Sequence, residues 1–91
     1  MSESAGRHAT TVREQPLGDE LSLFDAATGR ALALNRTARD VWSLVDGEAT
    51  SQQIVAALAT AYAVEPEVIA DDVALALGEL RSAGVVVDSG P

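Results

Sequence analysis

Few side chains in this sequence suit acid–base, metal or nucleophilic chemistry, and their spacing does not bring them together. His8 is the only histidine among 91 residues. It stands in a small, polar opening stretch, where a proton-transfer role lacks neighbours to position it. Asp71 and Asp72 are adjacent, so on a helix they point about 100° apart, and no third carboxylate or histidine follows at ligand spacing. Ser22, Ser43, Ser51 and Ser82 have neither a nucleophile-elbow context nor a histidine base. The seven glycines are scattered singly, which leaves no phosphate-cradling loop. With no cysteine in the chain, disulfides, thiolate metal sites and thiol nucleophiles are excluded. The residues therefore predict a protein that is not an enzyme by itself and holds neither metal nor cofactor.

Charge narrows the partners. Fourteen carboxylates face six basic residues, giving a net charge of −8, and all six bases are Arg. Such a surface repels phosphate backbones. The opening MSESAGRHAT holds no apolar signal core, and no later stretch approaches the length of a membrane span. A soluble, cytoplasmic protein is expected, without nucleic acid or membrane as partner. Arg36 and Arg39 are less ordinary, because positive charge in a helix's first turn opposes the macrodipole. Three readings remain open for them: solvated surface charge, local pairing with Asp40, or contact with an acidic partner. Trp42 falls on an apolar helical stripe and is read as core.

The elements that must position these residues follow from hydrophobic spacing. One domain is expected over residues 10–88, preceded by a flexible tail over 1–9. Thr10 to Glu14 is β-branched enough for a first strand, and Gln15 to Asp19, with Pro16 and Gly18, reads as a turn. Glu20 to Phe24 and Arg30 to Leu34 flank a hairpin loop, Asp25 to Gly29, with Gly29 at a left-handed position. At Asn35 the apolar spacing switches from two to three and four, so a strand runs straight into a helix capped by Asn35, with Ala38, Val41, Trp42 and Val45 on one face and Gly47 at its end. Thr50 and Gln53 have the spacing of a capping box for a second helix, whose stripe is Ile54, Leu58, Ala61 and Tyr62. Pro66 opens a third and longest helix that stops at Gly84. Its core stripe is Ile69, Val73, Ala76, Leu77 and Leu80. A second stripe, Val68 and Leu75, lies to one side, flanked by Asp71, Asp72 and Glu79. It is either wrapped by the domain or an exposed docking strip. With the apolar run Val85 to Val87 closing the chain, the fold class is α+β, winged-helix-like, with three N-terminal strands followed by three helices.

A winged helix-turn-helix shape suggests DNA binding, but the third helix begins with Glu65, Glu67, Asp71 and Asp72, and its only base, Arg81, is at the far end. A recognition helix needs the opposite charge. What remains is a module that holds another chain: Arg30 to Leu34, as an edge strand, can receive an extended peptide, and the groove beside the third helix can sort its side chains.

The residues that carry this reading also resemble a family. The DAATGRALALN hairpin, the NRTARDVW helix start, the LVDGEAT turn, the IVAALATAY helix and the closing ELRSAGVV look like those of the PqqD-like proteins, the RiPP recognition elements. The resemblance implies a domain that binds the leader of a ribosomally made precursor peptide by strand addition. It also implies that the precursor is presented to a maturation enzyme, either a radical SAM protein in pyrroloquinoline quinone biosynthesis or a leader peptidase and a cyclase in lasso peptide pathways. It carries no catalytic residues to transfer. By position, it assigns peptide binding to Arg30, Ala31, Leu32, Ala33 and Leu34 on the third strand. On the third helix it assigns Val68, Asp72, Leu75, Ala76 and Glu79. Aromatic residues common after the hairpin turn in that family are replaced here by Ala31, Leu32 and Ala33, which widens the groove. The rival expectation is a non-catalytic scaffold or regulatory protein acting through homodimer or partner contacts, so both monomer and homodimer stay open.

Overall fold

The computed structural model describes residues 4–88. In chain order it contains β1 (Arg7–His8), β2 (Val12–Leu17), β3 (Glu20–Asp25), β4 (Arg30–Leu34), α1 (Arg36–Leu44), α2 (Ser51–Tyr62), α3 (Pro66–Ser82) and β5 (Val86–Val87). Strands β2, β3 and β4 form an antiparallel sheet in that order, while β1 and β5 pair separately. This is the expected α+β arrangement of a three-stranded sheet followed by three helices.

Local chemistry explains the element ends. No linker separates β4 from α1, because Asn35 sits between them and its side chain accepts the Ala38 N–H at 2.8 Å, filling one of the donors a helix start leaves open. Thr50 and Gln53 form a reciprocal capping box on α2, with bonds of 3.1 and 2.9 Å. In the turn before α2, the Asp46 carboxylate accepts the N–H groups of Glu48 and Ala49 at 2.9 and 2.8 Å. These bonds, the Ala49 one foremost, hold its pKa below the ordinary carboxylate value. In α3, Pro66 occupies the first turn, Glu67 lies at the positive end of the helix dipole and Arg81 at the negative end, all in the favoured sense.

The sheet's inner face and the helices share one core. Leu21, Leu23 and Leu34 from the sheet meet Ala38, Val41, Trp42 and Val45, then Ile54 and Leu58, then Ile69, Val73, Ala76, Leu77 and Leu80. The full predicted core stripes of α1 and α3 are thus buried. In α2, Ala59 is buried in place of Ala61, which is exposed. Each fully buried aliphatic side chain here contributes about 1.5–3 kcal/mol relative to exposure. Leu80 is fully buried, at 0% exposure, and α3 packs on both α1 and α2.

Two expectations need correction. The segment read as a flexible tail is packed from Ala5 onward, while residues 1–3 lie outside the described residues. Ala5 is buried and its N–H donates to the Ala49 carbonyl. Arg7 and His8 pair with Val87 and Val86. Gly6 approaches β5 so closely that a Cβ there would stand 2.6 Å from the Val87 carbonyl oxygen. The segment carries no local periodicity, because what holds it comes from the other end of the chain. The first strand of the sheet also begins later and runs further than expected. Gln15 and Pro16 belong to β2, and the turn is only Gly18 and Asp19, with Gly18 at φ +62°. Pro16 reads locally as a turn former, yet an edge strand tolerates it.

Candidate functional site

The sheet has two free edges, and their backbones differ. Leu17 and Glu20 flank a two-residue loop, so they form the hydrogen-bonded pair that closes the hairpin. Alternation along β2 then turns the backbone groups of Leu17, Gln15 and Arg13 toward β3 and those of Pro16, Glu14 and Val12 toward the outer edge. Pro16 has no N–H to offer, and the Val12 N–H already donates to the Ala9 carbonyl at 3.3 Å. Of these three outward positions, only Glu14 keeps a free donor.

On the other side the same alternation continues across β3. Leu21, Leu23 and Asp25 face β4 and pair with Leu34, Leu32 and Arg30. The N–H and C=O groups of Ala31 and Ala33 therefore point outward, and among the described residues β4 has β3 as its sole strand neighbour. The hairpin that presents this edge is fixed by Asp25. Its buried carboxylate accepts the Thr11 hydroxyl at 2.7 Å and the Ala27 N–H at 2.9 Å. The Thr11 bond first, then the Ala27 bond, hold the Asp25 pKa below its ordinary value.

Beside the C-terminal end of β4 lies a groove of about 240 Å³ lined by Asn35, Thr37 and Ala38 of the α1 start and by Asp72, Leu75, Ala76 and Glu79 of α3. Four of the five α3 residues singled out in the sequence thus meet in one groove. Val68 lies outside its lining, nearer the start of α3. Leu75 is 64% and Val68 65% exposed, so the domain does not wrap the second stripe. Ala76 serves both sides, lining the groove while buried against the core. Sequence spacing marks Asn35 as a helix cap and Ala38 as core, and does not single out Thr37. The signal available was position, since they directly follow the edge strand. In β4, Leu32 and Leu34 turn toward the core, whereas Arg30, Ala31 and Ala33 are exposed.

The remaining chemistry-bearing residues are structural. His8 stacks on Trp42 with ring centroids 3.4 Å apart and planes within 2°, and its Nε2–H donates to the Trp42 carbonyl at 2.7 Å. This overturns the expectation that His8 lies in a flexible tail without neighbours to position it. Trp42 is buried, and its indole N–H donates to Glu14 at 3.2 Å. Arg39 donates to the Asp19 carbonyl at 2.6 Å and lies 3.6 Å from the Asp40 carboxylate. Arg36 stands over the Tyr62 ring at 5.1 Å, and the Tyr62 hydroxyl donates to Asp40. Burial, then the Asp40 bond, raise the Tyr62 pKa. The first-turn arginines are thus held locally. No group of three or more metal-ligating side chains occurs among the described residues, nor is any helix among them long and apolar enough to cross a membrane.

Comparisons with known proteins place the fold. The family model of Coenzyme PQQ synthesis protein D (PqqD) matches residues 20–86, the span from β3 to β5. No curated protein matches the sequence. Two solved structures share the fold. TbiB1 in complex with the TbiA(β) leader peptide is 22% identical with a TM-score of 0.76, over 88% of this chain and 93% of that one. Lasso peptide synthetase B1 complexed with the leader peptide is 19% identical with a TM-score of 0.78, over 92% and 99%.

Proposed function

The chain belongs to the PqqD family, and from that premise we propose that it binds the leader segment of a ribosomally synthesised precursor and presents it to a modifying enzyme. The observation that carries the reading is the open edge of β4. Ala31 and Ala33 offer outward backbone groups beside a groove formed by α1 and α3. An extended leader adds as a fourth strand, gaining affinity from backbone pairing and specificity from the side chains that enter the groove. Two structures with this fold contain a leader peptide, which supports a leader as the partner here.

In this account the chemistry resides in the partner, a radical SAM maturase, a leader peptidase or a cyclase, and the chain works in the cytoplasm where the precursor is made. Fluorescence anisotropy with the labelled leader of a candidate precursor tests the reading, combined with mass measurement in solution. Saturable binding to a monomer is expected. A stable dimer that refuses the leader would instead assign the β4 edge to self-association.

A further inference from the structure

The groove beside β4 has a charge pattern that specifies its occupant further. Asp72 and Glu79 stand three residues before and four after Leu75, so all three share one face of α3, and all three line the groove. Both carboxylates are exposed. Among the described residues, neither has a cation within ion-pair distance. The arginines of α1 and α3 are engaged elsewhere, Arg36 over Tyr62, Arg39 with the Asp19 carbonyl and Asp40, and Arg81 with Asp88 and the Ala5 carbonyl. An exposed leucine between two unpaired carboxylates, next to a strand edge with free donors, is complementary to an extended chain that is apolar at one position and basic beside it.

Resting on the leader-binding reading, we propose that the segment docking on β4 is cationic, with Lys or Arg two positions from an apolar residue that covers Leu75. Side chains of an extended strand return to the same face every second residue, about 6.8 Å apart. Along α3 the carboxylate positions lie about 4.5 and 6 Å from Leu75, within reach of a long basic side chain. The leader residues next to Leu32 and Leu34 share the inward face of those leucines and point toward the helices, so these positions carry the pattern.

The test selects binders from a random-sequence peptide library displayed on mRNA, against the full chain, the double variant Asp72→Asn/Glu79→Gln, and a control of equal charge change, Asp19→Asn/Glu20→Gln. Amide shifts then locate the best binder. The proposal expects binders that shift Arg30–Leu34 and carry Lys or Arg two positions from an apolar residue. It also expects an affinity about three- to tenfold lower for the groove variant than for the control. Binders on β4 without basic enrichment overturn the proposal and leave strand addition standing. The same holds if both variants lose affinity equally, which would reduce the effect to the overall charge. Binders that avoid β4, or no binders, overturn the leader-binding reading and this proposal with it.

Discussion

The two edges of one small sheet have opposite characters. At β2 the outward positions are Val12, whose N–H is already bonded, Glu14, whose carboxylate accepts from Trp42, and Pro16, which has no donor. At β4 they are Ala31 and Ala33, small and, among the described residues, unpaired, running into a groove. An unprotected edge invites pairing with any extended chain, and proteins normally blunt it. This fold blunts one edge and leaves the other open, which is the asymmetry a dedicated peptide site requires.

Several variants break or sharpen that contrast. The largest effect is expected from Ala33→Pro, which copies onto β4 what Pro16 does on β2. It removes an outward donor without touching the ladder to β3, so calorimetry should show leader affinity falling about ten- to a hundredfold, with the fold retained by circular dichroism. Next comes Leu75→Asp, expected to weaken leader binding about tenfold while changing stability by no more than about 0.5 kcal/mol, because Leu75 is exposed. Leu17→Asp, an equally exposed site on β2, should leave binding unchanged. Smaller still is Pro16→Ala. It should leave leader affinity unaltered, cost at most about 0.4–1 kcal/mol through gained unfolded-chain freedom, and raise self-association at high concentration by reopening β2.

Acid acts on the brace that aligns both edges, since Thr11 precedes β2 and Asp25 ends β3. Folding lowers the pKa values of Asp25 and Asp46. Their contribution to stability is therefore whole above the unfolded-chain value of about 3.9 and is lost as pH falls through the lower folded values. Denaturation followed by the single buried tryptophan, Trp42, should show this loss below about pH 4. In Thr11→Val the loss should be smaller, because the main cause of the Asp25 shift is gone and the folded pKa moves back towards the unfolded one.

Where local chemistry decides the structure, the sequence was readable. The Asn35 cap, the Thr50–Gln53 box, Pro66 and the buried stripe of α3 all formed where their spacing implied, because each depends on residues within a turn or two. Strand β1 was not readable, since its partner β5 lies at the other end of the domain. His8 gave no sign of its role for the same reason, as its stacking partner Trp42 sits on another element. Pro16 misled because its local preference for turns competes with its tolerance at an edge, and only the sheet order separates the two. At the candidate site, the edge strand and most of the α3 face were legible from alternation and the second stripe. The contribution of Asn35, Thr37 and Ala38 emerges only when α1 and α3 come together.

Amide hydrogen exchange with and without leader probes the central claim most directly, because it reads the individual backbone donors. Strand addition predicts that leader binding slows exchange at Ala31 and Ala33 and leaves the outward Glu14 N–H on β2 as fast as before. Unchanged exchange at Ala31 and Ala33 in a saturated complex, or protection at Glu14 instead, would contradict it.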